Sequence, residues 1–365
     1  MSSSTRKGAI VTAVGMTTAV GRDAATTCAS FRAGIKRASQ LSYFELDGEG
    51  DEEPVSLLGF VAETAALEAE GLGKVVALGA TALRDLLSQQ RSPTGSAEPV
   101  GMYLVLPDLA GRLVKDGSEP DAVRSADTFV SSCNAHLRRR LITACGLDLN
   151  VGVWDCTFGA QTEYFAALRK AADALAEGKI SRCIVGGIDS FIDPDSLTWA
   201  LSSGRLLTDT NTNGFYPGEA AVFVQLEKGP VAQNAPVASI VLPMQQVHNR
   251  GGSVGVNLAS AIRAALVAGE RETVGLIIGG LNGEFNRSNH WGHAVTRLAG
   301  EYPGVVGAPV WSPVEAFGET GCATVGLGIG LGIKAFERGY ANTNEILLWA
   351  LADSGRAGAM LLRRG

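Results

Sequence analysis

Val151-Gly-Val-Trp-Asp-Cys156 is an apolar run that leads, across a short turn ending at Gln161, into a segment from Thr162 to Glu177 with helical periodicity. Tyr164, Leu168, Ala171 and Leu175 recur at helical spacing while Arg169, Lys170 and Asp173 fall elsewhere, which predicts an amphipathic helix. Gly178 supplies a C-terminal stop. A second apolar run, Cys183-Ile-Val-Gly-Gly187, comes at once, so the unit reads strand, sharp turn, helix, strand, the repeat of a parallel α/β layer. Residue 161 then stands at a helix N-terminus, where free N–H groups and the positive dipole end would lower a thiol pKa or hold an oxyanion. Glutamine cannot use that position as a nucleophile.

Apolar runs recur on either side of this unit. Ala9 to Val14, Val100 to Val105, Ala221 to Leu226, Ala238 to Leu242, Val274 to Ile278, Val305 to Trp311, Ile346 to Leu351 and Gly358 to Leu362 all predict strands. A chain of 365 residues is long enough for two core-bearing halves. No low-complexity linker separates them; the acidic, glycine-rich stretch Asp47-Gly-Glu-Gly-Asp-Glu-Glu-Pro54 reads as a solvated insertion.

With these runs in order, the chain resembles the β-ketoacyl synthase family of the thiolase superfamily. Gly8-Ala-Ile-Val-Thr-Ala-Val-Gly-Met16 is similar to the family's opening strand and turn. Gly186-Gly-Ile-Asp-Ser190, Ser203-Gly-Arg-Leu-Leu-Thr208 and Gly214-Phe-Tyr-Pro-Gly-Glu219 followed by Ala220 to Glu227 resemble its middle signatures, the Gly-Phe-Tyr-Pro-Gly-Glu block being the most specific. The resemblance implies an α/β thiolase-like fold: two similar βαβαβαββ halves, expected over residues 1–230 and 231–365, packed as one compact five-layered α-β-α-β-α sandwich. It places the family's active-site cysteine on Gln161, leaving Cys156 inside the strand. With Asp193-Pro194 and Gly187-Ile-Asp-Ser190, the set most resembles the chain-length factors, cysteine-less partners of ketosynthases in type II polyketide and fatty-acid-type systems.

The second half carries the same implication. The family's first histidine falls on Asn282, in Gly280-Leu-Asn-Gly283 after the strand ending at Ile278. The second falls on Glu319, in Gly318-Glu-Thr-Gly-Cys-Ala323, and the nearby lysine on Val314. The closing loop becomes Ala352-Asp-Ser-Gly-Arg356. By this resemblance the catalytic positions hold Gln161, Asn282, Glu319 and Val314, and Gln161, Asn282, Glu319 and Ser354 are the residues expected at the substrate position. A cysteine-to-glutamine ketosynthase that keeps both histidines can still decarboxylate malonyl groups; an anionic Glu319 without a compensating charge would repel them. The chain is shorter than typical members, with the missing length expected around 106–135 and 280–310.

Arg205 occupies the family's carrier-contact position, and Arg138-Arg-Arg140 adds a local cationic patch that suits an acidic acyl carrier protein. Solvated helix arginines, and an Arg205 paired with Asp209 or Glu219, are the plain alternatives. A net charge of −6 argues against non-specific nucleic-acid binding. No apolar leader opens the chain, and Gly321 to Ile333 is too short to cross a bilayer that needs ~20 residues; Gly326 and Gly330 suit close helix packing. Six cysteines without short paired spacing suggest reduced thiols, so the expected setting is the cytoplasm.

No cofactor or metal is expected. Gly251-Gly-Ser-Val-Gly255 matches a nucleophile-elbow pattern, but a polar stretch from Gln245 to Arg250 precedes it where a strand end is required, so it reads as a loop before a helix from Leu258 to Ala268. His290 and His293 lack further ligands at metal spacing. Cys156 reads as a buried strand thiol. Gly326-Leu-Gly-Ile-Gly-Leu-Gly332 lacks the dinucleotide spacing. Three functional classes remain: a non-catalytic subunit paired with a live ketosynthase, an enzyme of different chemistry (hydrolysis or acyl transfer) using Glu319 as base with Asn282 or the helix N-terminus as oxyanion donor, and an acyl-binding homodimer without turnover.

Overall fold

A computed structural model describes residues 9–46, 55–62, 69–89, 98–113, 120–146, 149–228, 238–247 and 253–365. The acidic stretch 47–54 and the boundary expected at 230/231 lie outside them.

The first half runs β1 (Ala9–Thr17), α1 (Ala24–Arg32), the hairpin β2 (Ser39–Leu46) and β3 (Val55–Gly59), α2 (Gly71–Ser88), β4 (Val100–Leu106), α3 (Leu109–Leu113), α4 (Pro120–Cys145), β5 (Val151–Phe158), α5 (Glu163–Ala176), β6 (Arg182–Ser190), α6 (Pro194–Ser202) and β7 (Glu219–Lys228). The second runs β8 (Ala238–Val247), α7 (Val256–Gly269), β9 (Leu276–Gly279), α8 (Phe285–Leu298), α9 (Pro303–Val306), β10 (Val310–Trp311), α10 (Val314–Phe317), α11 (Thr324–Glu337), β11 (Glu345–Leu351) and β12 (Ala357–Arg364).

Strand order is β1-β7-β6-β4-β5 in the first half and β8-β12-β11-β9-β10 in the second, the same arrangement twice. The two sheets meet where Ala9 and Ile10 pair with Ile240 and Ser239, so the ladder runs through ten strands, with β5 and β10 as its ends. Helices α2 and α4 cover one outer face, α7 and α8 the other, and α5 and α11 fill the space between. This is the five-layered thiolase-like arrangement.

Helix α5 forms where the periodicity places it, and its apolar face is wide because both sheets press on it. Tyr164, Phe165, Leu168, Ala171, Ala172 and Leu175 are buried while Arg169 and Lys170 reach solvent. Burying Phe165 and Leu168 contributes ~1.5–3 kcal/mol each. Gly178 ends the helix at φ +73°, in the left-handed region. Its partner α11 packs through glycine: a Cβ on Gly326 would sit 2.4 Å from a Val222 methyl and one on Gly330 2.8 Å from the Met16 sulfur.

Three expectations need correction. The run Val305 to Trp311 is a strand only over Val310–Trp311, because Pro303 starts the short helix α9 and Gly307 and Pro309 break the segment after it. Strand β8 extends to Val247, into the polar stretch that begins at Gln245, because it is paired along β12 as far as Ala357. The hairpin β2–β3 is an addition to the expected strands, its residues carrying little apolar alternation.

Candidate functional site

Three chain segments converge at the top of the central layer. Gln161 ends the turn between β5 and α5, Asn282 follows β9, and Glu319 precedes the 3-10 turn Gly321–Ala323 that leads into α11. The Gly214–Glu219 block clamps the last of these. Gly218 donates to the Glu319 carbonyl at 3.1 Å, and the Glu319 N–H donates to the Tyr216 carbonyl at 2.8 Å. Only glycine fits at 218, because a Cβ there would lie 2.0 Å from the Phe317 carbonyl oxygen. Glu219, fully buried, holds the block from beneath by accepting from Lys74, the Ala62 N–H and Ser190.

Gln161, Asn282 and Glu319 meet. All three are 3–4 % exposed. Gln161 Nε2 donates to Glu319 Oε1 at 3.0 Å, the Gly321 N–H donates to the same oxygen at 2.9 Å, and Asn282 Nδ2 donates to Oε2 at 2.7 Å. Arg287, equally buried on the first turn of α8, donates to Gln161 Oε1 at 3.3 Å and to the Leu351 carbonyl. The Gln161 amide is thereby oriented from both ends, nitrogen toward a carboxylate and oxygen toward a guanidinium.

An ion-pair lattice extends this set outward. Arg287 Nη2 reaches Asp353 at 3.0 Å. Arg205 grips Glu284 through Nε at 2.6 Å and Nη2 at 2.7 Å, and Asp353 through Nη1 at 2.7 Å. Asn282 also donates to Glu284 at 2.8 Å and accepts from its N–H. Burial alone would raise the carboxyl pKa values of Glu284 and Asp353. Arg205, Asn282 and Arg287 instead hold Glu284 below the ordinary carboxylate range, and Arg287 and Arg205 do the same for Asp353. Burial would likewise lower Arg205, yet its two carboxylates keep it protonated above its ordinary value.

A cavity of about 380 Å³ opens beside Gln161 and Glu319, lined also by Phe158, Trp199, Ser354 and Arg356. Its charged lining is neutralised internally: Arg112 pairs with Asp189 at 2.5 Å beneath the Phe191 ring, and Arg356 pairs with Glu163. A larger cavity, about 630 Å³, lies between α2, α4 and α6 on the other side of Asp189.

Ser354 lines the smaller cavity. Val314 does not; it is half-buried at the start of α10. Arg205 pairs with Glu284 and Asp353 rather than with Asp209 or Glu219, because α6 and the loop after it carry the guanidinium toward α8. Arg138, Arg139 and Arg140 are exposed on α4 between buried Leu137 and Leu141, and Arg138 donates to the Val151 carbonyl at 2.6 Å. Cys156 is half-buried in β5, where burial pushes its thiol up to about 12, with Cys133 and Asp155 adding to the effect. Ser253 is exposed and accepts from Arg297 at 3.2 Å; residues 248–252, which include the start of the Gly-x-Ser-x-Gly stretch, lie outside the described residues. His290 accepts from the Gly255 N–H at 3.2 Å, and burial, Arg287 and His293 lower its pKa. No group of three metal-ligating side chains occurs among the described residues, and no helix there is long and apolar enough to cross a membrane.

No protein-family model matches the chain, and no curated protein matches its sequence. Solved structures do match. The ishigamide ketosynthase/chain length factor superposes with a TM-score of 0.68 at 17 % identity, covering 98 % of this chain and 99 % of that one. The chain has the ketosynthase fold. A ketosynthase in complex with its chain length factor from Xenorhabdus doucetiae superposes at TM-score 0.70, 14 % identity and 100 % coverage of both chains. A type II polyketide ketosynthase structure, solved with its acyl-carrier protein and bound to the hexaketide, gives 0.71 at 15 % identity, over 98 % and 99 %. On this fold, sequence reasoning missed Glu284, Arg287 and their lattice with Asp353. Arg287 reads as an ordinary arginine on a polar helix, and nothing in its spacing from Asn282 signals burial.

Proposed function

We propose that this chain is a non-catalytic, chain-length-factor-like subunit that pairs with an active ketosynthase in polyketide or fatty-acid-type biosynthesis, shapes the acyl channel, and works with an acyl carrier protein. One observation carries this reading. The residues at the converging segment ends, Gln161, Asn282 and Glu319, include no thiol and no imidazole, and they satisfy one another. Condensation needs a nucleophile and donors that strengthen on a developing enolate. Here the donors of Gln161 and Asn282 are already committed to a buried carboxylate, and Glu319, accepting three hydrogen bonds, is poorly placed to serve as a base.

The sheet end supports a partner. Strand β5 pairs with β4 on one side only among the described residues, and Gly152 and Val153 on it are exposed. An unpaired edge of eight residues offers N–H and C=O groups to a strand of another subunit. The test is native mass spectrometry of the chain expressed alone and with a ketosynthase encoded near it. A one-to-one heterodimer is expected. A homodimer unchanged by every ketosynthase offered would refute the partner role and favour an acyl-binding homodimer.

A further inference from the structure

The cavity of about 630 Å³ between α2, α4 and α6 is of a size that suits a small molecule, and the lattice around Gln161 makes no use of it. One wall is apolar and buried: Val75 and Leu78 on α2, Phe129 on α4 and Ile188 on β6. The rest is polar, and its hydrogen bonding is one-sided. Ser125 donates to Asp195 at 3.2 Å, Thr128 to the Arg124 carbonyl at 2.7 Å and Ser190 to Glu219 at 2.9 Å. Each of these hydroxyls has used its proton and keeps lone pairs to offer. Lys74 is spent on the same Glu219 at 3.2 Å, and Arg124 is engaged within the chain. Asp189, 1 % exposed, lines the cavity too. Arg112 and the Cys322 N–H take its Oδ2, while its Oδ1 has no hydrogen-bond partner among the described residues. Acceptors therefore outnumber donors in this lining.

Charge points the same way. Lys74 is balanced by Glu219, and Asp189 by Arg112. Glu70, Asp193 and Asp195 remain, with Arg124 the one further cation lining the cavity among the described residues. The N-termini of α2 and α6 also open here and add about half a positive charge each. Three carboxylates against these leave roughly one negative charge. Burial pushes the Asp193 carboxyl above its ordinary value in spite of the hydrogen bonds from Ser196 and the field of Arg112, so its surroundings supply too little positive charge.

We infer that this cavity binds an amphipathic amine, its ammonium toward Asp189 and the carboxylates of α6, its alkyl or aryl tail against Val75, Leu78, Phe129 and Ile188. An ammonium has three donors and no acceptor, the complement of this lining. A carboxylate brings only acceptors and a second negative charge, and a keto or ester group brings only acceptors, so each leaves Asp189 unsatisfied. The inference goes beyond the partner role proposed above and does not depend on it.

The experiment is calorimetric titration of the full chain with octylamine, octanol and octanoate, which share a tail and differ in the head. Octylamine is expected to bind saturably, about tenfold tighter than octanol or better, with octanoate weakest. Two variants locate the site. Asp193→Asn/Asp195→Asn keeps the cap of α6, because asparagine caps a helix as well as aspartate, and should lower octylamine affinity about tenfold while leaving octanol unchanged. Thr128→Trp, at an exposed lining position on α4, should weaken all three by filling the cavity. Unchanged thermal unfolding confirms that the variants fold; should the double variant not fold, Asp195→Asn alone, at an exposed position, carries the same test. Octanoate binding as tightly as octylamine overturns the inference, as does the absence of saturable octylamine binding. Octylamine affinity unaltered in both variants also overturns it, assigning the amine to the acidic surface at large. None of these results bears on the heterodimer, which native mass spectrometry of the wild type reads separately.

Discussion

Replacing Glu319 by glutamine changes one atom and tests what the converging residues do. The carboxylate accepts at both oxygens: Oε1 from Gln161 and the Gly321 N–H, Oε2 from Asn282. A glutamine can match only one of these. If its oxygen takes the Oε1 place, its NH2 faces Asn282 Nδ2, donor against donor. Turning Asn282 over does not help, because its Nδ2 also donates to Glu284 and its Oδ1 accepts the Glu284 N–H. The reverse placement puts the NH2 against two donors. The substitution therefore loses at least one charge-assisted hydrogen bond, ~1.5–3 kcal/mol, and leaves a buried donor unpaired, ~1–3 kcal/mol. With partial relaxation the net destabilisation is about 2–4 kcal/mol, read as a lowered denaturation midpoint in urea at unchanged slope. If Glu319 instead served as a working base in a poised site, Glu319→Gln would be neutral or stabilising, since active-site groups are commonly held at a cost to stability. A midpoint equal to or above wild type would refute the self-satisfied network.

Gln161→Cys should create no condensing activity, assayed by product formation from acyl and malonyl carrier substrates, and should cost about 1.5–3 kcal/mol through the lost donor to Glu319; measurable condensation would show that Asn282 and Glu319 suffice for decarboxylation. Arg205→Glu leaves Glu284 and Asp353 facing a third carboxylate and should destabilise by about 3–5 kcal/mol, monitored by thermal unfolding; a variant as stable as wild type would show the lattice to be ornamental. The lattice also predicts acid lability. Glu284 and Asp353 have pKa values held below their ordinary 4.5 and 3.8, so the unfolded chain binds their protons first. Their contribution is present above about pH 4.5 and drains away as pH falls through the lowered values. Wild type should lose stability over that window more steeply than Glu284→Gln; parallel profiles would contradict the assignment.

The fold is legible in the sequence because its elements announce themselves locally. The strand, turn and helix around Gln161 have clear periods, and Gly178 stops the helix where its positive φ is required. The repeat of the two halves is not visible in residue identity, since it is a repeat of strand order. At the site, the convergence of Gln161, Asn282 and Glu319 agrees with their motif positions. The contribution of Arg287 has no such signal, because its burial depends on α8 packing over the loop after β11, a contact remote in sequence. Arg205 stands out in the sequence, but its partners do not, since Glu284 and Asp353 lie 79 and 148 residues away. The strand expected from Val305 fails for a local reason, the prolines and glycine that break it.

The most direct test of the central claim is reconstitution with purified components. Product formation from malonyl carrier protein is measured with the ketosynthase alone, this chain alone, and the two together. The account predicts full-length product only from the pair and neither condensation nor carbon dioxide release from this chain by itself. Turnover of malonyl carrier protein by this chain alone, abolished in Glu319→Gln, would contradict it and assign the site a chemistry of its own.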